Sequence, residues 1–362
     1  MKRIFTLLLA LSLLFTLCAC GGDAPTEPST EPTDAPTTEA TEPPVLYRNP
    51  LNGEPMDAPY EGRPVAIVIN NQIDALPQFG ISEADLMYEL EVEGDITRYM
   101  AIFSDLSDVG SIGPVRSDRV FFNNIALSFD APIVHCGGSD FALKGHIDET
   151  GTKINNWQHI NEAFNGSYFF RDYERSRNGY SWEHTLFTSG AQMIQAMEDK
   201  GYDKHSDTFL EQQTSELYYG LQFDDEIELN GETANHVTAV FRLGKTTGFT
   251  YDPETGLYSA SQYKKEHLDA GAGKCVTYKN LLILYTSKWG KADTSYVRSF
   301  YDLLGEGTGY FACNGQIIPI RWYRDNYRSS FTYTLEDGTP LVMGVGSTYV
   351  GISAAETYVT YE

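Results

Sequence analysis

Residues 87–119 read MYELEVEGDITRYMAIFSDLSDVGSIGPVRSDR, a dense set of carboxylates and arginines set within an apolar strand pattern. Read with period two, Leu86, Tyr88, Leu90 and Val92 share one strand face, and Met87, Glu89, Glu91 and Glu93 share the other. Gly94-Asp95 supplies a tight two-residue turn, and the run from Ile96 to Phe103 is again β-branched and aromatic, so an antiparallel hairpin is predicted. With that turn, Glu93 opposes Ile96, Glu91 opposes Arg98, and Glu89 opposes Met100. Arg98 is thereby expected among three carboxylates on a partly covered face, where paired charges matter more than at an open surface.

Gly113-Pro114 marks a loop that leads into a helix expected over residues 117–129. Arg116 and Arg119 flank the start of that helix. Guanidiniums beside free N–H groups at a helix N-terminus suit an anion such as phosphate, sulfate or carboxylate. The plainer alternative is an ion-pair network that serves only the fold.

Working outward, residues 63–71 (RPVAIVINN) form a near-continuous apolar run, as buried strands do, and residues 131–136 (APIVHC) form another. The second run enters Gly137-Gly138 and then a helix that Ser139 can cap. His135 stands at the strand end, where functional side chains often emerge. Ser139 lacks the GxSxG setting of a nucleophile, so a cap is the better reading, and Cys136 reads as a small buried residue. Residues 154–177, with Trp157, several aromatics and Arg171, Arg175 and Arg177, read as a long loop. His184 opens a short HTLFTS segment, and an amphipathic helix is expected over 189–200, with Met193, Ile194 and Met197 inward.

The chain turns polar over residues 201–213, and beyond it strand patterns repeat between turn signals. An α+β protein is expected: a mixed α/β N-terminal domain with a central sheet over residues 45–205, and an antiparallel β-rich C-terminal domain over 214–362.

The segments Ala84-Asp85-Leu86-Met87-Tyr88-Glu89 and Val92-Glu93-Gly94-Asp95-Ile96-Thr97-Arg98 resemble the YerB-like lipoproteins of Gram-positive bacteria, a two-domain family of unknown function. Ile112-Gly113-Pro114-Val115-Arg116-Ser117-Asp118-Arg119, Val134-His135-Cys136-Gly137-Gly138-Ser139 and His184-Thr185-Leu186-Phe187-Thr188-Ser189 fit the same pattern. Where the family usually has a second glycine this chain has Asp95, and where it often has asparagine this chain has Thr185. The resemblance implies a secreted lipoprotein with an N-terminal domain carrying these motifs and a β-rich C-terminal domain, and it brings no known chemistry or cofactor.

The two ends of the address are legible without the resemblance. Lys2 and Arg3 precede an apolar run to Leu17, and Leu17-Cys18-Ala19-Cys20 has the lipobox order, so residues 1–19 read as a lipoprotein signal peptide and Cys20 as the acylated residue. Residues 20–44 are Pro, Thr and acid with little to bury, a disordered tether between the lipid and the folded part. The expected location is the outer face of the cytoplasmic membrane. Removing Lys2 and Arg3 from the 26 basic residues leaves 24 against 50 acidic ones, a formal charge of −26. That excess argues against nucleic acid as a partner and against electrostatic adhesion to an anionic bilayer, so the N-terminal lipid must hold the protein at the membrane. Three cysteines lie beyond Cys20, at 136, 275 and 313, too few and too odd for a disulfide framework, although Cys275 and Cys313 leave one pairing open. With no CxxC, no HExxH and scattered histidines, no metal site is expected.

Three functions compete. In the first, Arg98, Arg116 and Arg119 bind an anionic cell-wall ligand, with Glu89, Glu93 and His135 orienting them. In the second, an envelope glycan or phosphodiester hydrolase or transferase uses a glutamate as acid or base and arginines against developing negative charge. In the third, the protein is an assembly factor that holds another envelope protein. The absence of a nucleophile with an evident base favours binding.

Overall fold

All six residues of Val65–Asn70 (β1) are buried, as are all of Leu86–Glu91 (β2) and Thr97–Phe103 (β3). Strands buried along their whole length belong in the middle of a sheet covered on both sides. That is their place in the computed structural model, which describes residues 47–144, 146–147, 153–154, 158–212, 219–292 and 297–362. The signal segment, Cys20, the 20–44 tether and Trp157 lie outside the described residues.

Six further strands complete the core of this sheet: Ile133–His135 (β4), His159–Asn161 (β5), Asn280–Tyr285 (β6), Gly305–Cys313 (β7), Gln316–Arg324 (β8) and Thr348–Ser353 (β9). Their spatial order is β5-β4-β1-β3-β2-β9-β6-β7-β8. At one end β5, β4 and β1 run parallel, and β1 then pairs antiparallel with β3. In the middle β2 pairs parallel with β9, Leu86 facing Thr348 and Ile352 facing Leu90, so residues from both halves of the chain share one sheet. The polar stretch at 201–213 thus separates two segments that nevertheless share one hydrophobic interior. The mixed α/β character of the first segment and the β-rich character of the second are as expected.

Alternation along the strands sends two sets of side chains to opposite faces. Met87, Tyr99, Ala101 and Tyr349 pack with Val237, Phe249, Tyr258 and Ala260 of a second, antiparallel sheet, built from His236–Val240, Thr246–Asp252, Leu257–Gln262, Lys265–Glu266 and Val359–Tyr361. Tyr88, Leu90, Met100 and Ile102 pack with Phe121, Phe122 and Ile125 of helix Val120–Leu127 (α1) and with Trp322 and Phe331. The helix is shorter than the 117–129 span expected, because Arg119 is already extended.

The hairpin exists, but its register differs from the expected one by a single residue. Glu89 faces Tyr99 and Leu90 faces Arg98, while Val92 N–H donates to Ile96 O at 2.9 Å, so three residues, Glu93 to Asp95, make the loop. Both Gly94 (φ 79°) and Asp95 (φ 60°) take left-handed backbone in closing this loop. A slip of one residue moves a side chain to the other face of the sheet. Arg98 therefore lies on the α1 face with Leu90 and Met100, across the sheet from Glu89 and Glu91.

Residues 154–177 also depart from expectation. They are not one loop: His159–Asn161 is the edge strand of the main sheet, followed by the short helices Glu162–Asn165 and Tyr173–Arg177. The helix Gly190–Lys200 is capped by Ser189 and buries Met193 and Met197, whereas Ile194 is exposed, a correction to its expected inward place. Cys136, Cys275 and Cys313 are all free thiols.

Candidate functional site

The 113–118 segment crosses the carboxyl ends of β1 and β4, where those strands diverge. Asn70 N–H donates to Pro114 O (2.9 Å), Arg116 N–H to Val68 O (2.8 Å), Cys136 N–H to Arg116 O (3.1 Å) and Asp118 N–H to Gly137 O (3.0 Å). Crevices outside the carboxyl ends of parallel strands are the usual ligand sites of α/β sheets. Here the crossing segment delivers Arg116, Asp118 and Arg119 to that end, and Arg98, at the start of β3, meets them.

Arg98 is 4% exposed and spends one N–H on Ser117 O, Nη1 to O 2.5 Å. Its Nε is buried without a hydrogen-bond partner, and among the described residues no carboxylate lies within ion-pair distance of it. Burial, reinforced by the Arg119 and Arg116 guanidiniums and opposed by Glu93 and Asp118, pulls its pKa well below the ordinary arginine value. The two neighbours are better satisfied. Arg119 holds Glu93 through Nε (2.7 Å) and Nη2 (2.6 Å), and Arg116 forms a close ion pair with the half-exposed Glu183, although its Nε is also buried and unpartnered. Glu93 further accepts from Ser299 N–H at 3.0 Å and lies 3.7 Å from Arg298; burial would raise its carboxyl, but Arg119 above all, with Ser299 N–H, holds it below the ordinary value.

Glu89 departs from its expected place beside the arginines, Ser139 is the cap expected of it, and His184, the remaining candidate, serves the fold. Glu89 is completely buried on the opposite face, between the two sheets, and accepts hydrogen bonds from Asn71 (3.0 Å), Thr97 (2.5 Å), Thr247 (2.8 Å) and Tyr349 (2.7 Å), with Lys245 Nζ at 3.3 Å. Burial alone would raise its pKa, but Lys245 and the hydroxyls more than offset it. It is a sealed structural carboxylate that neither orients Arg98 nor reaches a substrate. Ser139 is the cap of the short helix Asp140–Lys144 (α2): Ala142 N–H donates to its Oγ at 3.2 Å. His184 accepts from Asn70 Nδ2 at 3.0 Å, which ties it to the end of β1, and stands 3.8 Å from its chain neighbour Glu183.

His135 does join the arginines' neighbourhood, in company the sequence did not forecast. Its ring is fully buried, Nδ1 donates to Gly137 O at 2.7 Å, and Nε2 faces His159 Nδ1 at 2.9 Å. Burial and the adjacent His159 push its pKa down to about 3, so it is neutral. Asp118 completes the group, its ligand oxygen and the two imidazole nitrogens all lying within 4.8 Å of one another. Asp118 is fully buried, Oδ2 accepts from Asn123 Nδ2 at 2.6 Å, and Oδ1 has no partner; burial pushes its carboxyl up to about 7. Scattered histidines gave no metal motif, yet parallel pairing of β4 with β5 sets two of them side by side. The one sequence signal that bore on this was the strand-like His159-Ile160-Asn161, too short to stand out from its surroundings.

Two of the larger clefts are lined by none of these groups. One of about 610 Å³ lies among Ile227, Leu229, Ile318 and Leu341, and one of about 560 Å³ among Arg242, Tyr285, Lys288 and Glu356.

Residues 51–203 match the N-terminal domain, and residues 237–350 the C-terminal domain, of a protein family of unknown function, DUF3048. The chain is also 31% identical over 301 residues to "Putative lipoprotein YerB" of Bacillus subtilis, covering 81% of each chain. It belongs to the YerB-like family. The crystal structure of the Bacillus subtilis YerB protein superposes with a TM-score of 0.68 at 27% identity, spanning 87% of this chain and 99% of that one. The two YerB-like domain matches therefore meet within the main sheet, at the pairing of β2 with β9. No helix among the described residues is long and apolar enough to cross a membrane.

Proposed function

We propose that this YerB-like protein is held at the outer face of the cytoplasmic membrane by a lipid on Cys20 and binds an anionic ligand of the cell envelope through Arg98, Arg116 and Arg119. The observation that carries this reading is Arg98. A guanidinium that is 4% exposed, lacks an ion-pair partner among the described residues and sits beside two others is costly, and a bound phosphate, sulfate or carboxylate would repay it with charge-assisted hydrogen bonds. The crossing segment adds support, because it sets the arginines at the strand ends where ligands of such sheets enter. The overall charge of −26 beyond the signal does not oppose it, since recognition is local and two of the acids beside the arginines, Glu93 and Glu183, are already paired.

The test is a thermal-shift screen of residues 46–362, which form one compact unit, against inorganic phosphate, sulfate, sugar acids and muropeptides, run beside Arg116→Ala. A ligand that raises the Tm of the parent and not of the variant supports the reading. A parent that responds to none of these anions overturns it and moves weight to a protein partner.

A further inference from the structure

We infer that Asp118, His135 and His159 form a site for one divalent transition-metal ion, a proposal that goes beyond anion binding and stands on separate observations. The three side chains come from three elements. Asp118 lies on the crossing segment before α1, His135 at the end of β4 and His159 at the start of β5, and their ligand atoms fall within 4.8 Å of one another. Ligands sharing one ion, with bonds to nitrogen and oxygen of about 2.0–2.2 Å, lie at most about 4.4 Å apart, so these atoms need draw in by no more than a few tenths of an ångström to share one.

Two of the three ligands are prepared for the role. A carbonyl only accepts, so the 2.7 Å contact with Gly137 O fixes the proton of His135 on Nδ1 and leaves a lone pair on Nε2, the atom that faces His159. Asn123 holds Asp118 through Oδ2 and leaves Oδ1 buried and without a partner. The 3.0 Å bond from Asp118 N–H to Gly137 O ties the backbone of one ligand to the turn that orients another. Without an ion, a hydrogen bond between the two imidazoles satisfies His135 but leaves Asp118 Oδ1 orphaned. A cation satisfies all three at once.

Donor chemistry sets the metal class. Two imidazoles and one carboxylate suit zinc, cobalt, manganese or ferrous iron, whereas calcium and magnesium prefer all-oxygen shells. Three protein ligands leave at least one coordination position open. His159 is the half-buried member, so the ion would enter from its side.

Residues 46–362, stripped with chelator and kept in phosphate-free buffer, would be titrated with Zn2+ by calorimetry and with Co2+ by visible absorption. The expected result is one ion per chain, a Co2+ spectrum of a low-coordinate nitrogen–oxygen site, and a Tm raised by the metal. Uptake should vanish in His159→Gln and weaken about 10–100-fold in Asn123→Ala, which removes the group orienting Asp118. It should survive in His184→Gln, which leaves the three ligands intact, and in Arg116→Ala, which separates this proposal from anion binding. Near-ultraviolet circular dichroism of each apo variant identifies any loss due to misfolding. Failure of the folded parent to take up either ion, or equal uptake by folded His159→Gln, would overturn the assignment.

Discussion

Lys245 Nζ lies 3.3 Å from Glu89 Oε1, with both side chains buried, and so pins the second sheet to the centre of the main one. Lys245 also donates to Thr246 O and Thr247 Oγ1, each at 2.9 Å, and Thr247 in turn donates to Glu89, so the pair is a closed network rather than an isolated contact. Removing one partner of such a pair leaves the other charge stranded in a dry interior. Glu89→Gln is expected to lower stability by about 3–5 kcal/mol in urea denaturation. The double variant Glu89→Gln/Lys245→Met should recover a large part of that loss. Losses that simply add would show that the two charges are not coupled.

Arg98 is expected to behave in the opposite way. Its guanidinium is buried beside Arg116 and Arg119 with no ion pair among the described residues, so Arg98→Met should leave the apo protein as stable or raise its stability by on the order of 1 kcal/mol, while the response to anions disappears. Chemical denaturation with and without phosphate measures both. A variant destabilised by several kcal/mol would make Arg98 a structural residue.

Glu183 competes for Arg116 from the surface. Ion pairs as exposed as this one contribute roughly 0–1 kcal/mol, so Glu183→Gln should barely move the Tm. With its competitor gone, Arg116 should hold an external anion several-fold more tightly. Titration of phosphate or sulfate against both proteins reads the difference, and it should shrink as ionic strength rises.

His267 sets an acid limit on the fold. It is fully buried, stacks on Tyr99 with ring centroids 5.6 Å apart, and donates through Nε2 to Gln78 Oε1 at 3.0 Å. Burial pushes its pKa down to about 4 from an ordinary value of 6.5. The unfolded chain therefore takes up this proton before the folded one does, so the stability it contributes is complete above pH 6.5 and is lost as pH falls towards 4. The parent should lose about 2–3 kcal/mol more than His267→Gln between pH 7 and pH 4.5. Equal losses would mean that the folded protein protonates His267 freely.

The strands were legible because their composition is extreme. An unbroken VAIVIN and the alternating LMYELE have few other fates, and both lie where the pattern placed them. Arg116 and Arg119 were likewise correctly set at the entry to α1. The errors have local causes. Glu93 left the strand to complete a three-residue turn, and that single residue moved Arg98 away from Glu89. His159 was hidden because a three-residue edge strand inside a polar, aromatic stretch carries almost no periodic signal. Asp118 drew no notice beside two arginines, since its importance comes from a missing hydrogen bond, which only packing reveals.

The pairing of Leu86–Glu91 with Thr348–Ser353 bears on how the molecule is made. A chain emerging from its amino end presents the motif hairpin early, yet one edge of β2 stays open until residues some 260 positions later arrive to fill it. Contacts so distant in sequence are slow to form, and domain-by-domain folding during synthesis is closed to this architecture. A chain halted anywhere before β9 would carry an exposed, apolar strand edge, the kind that recruits other strands. Until β9 is delivered, that edge is open to pairing with other chains.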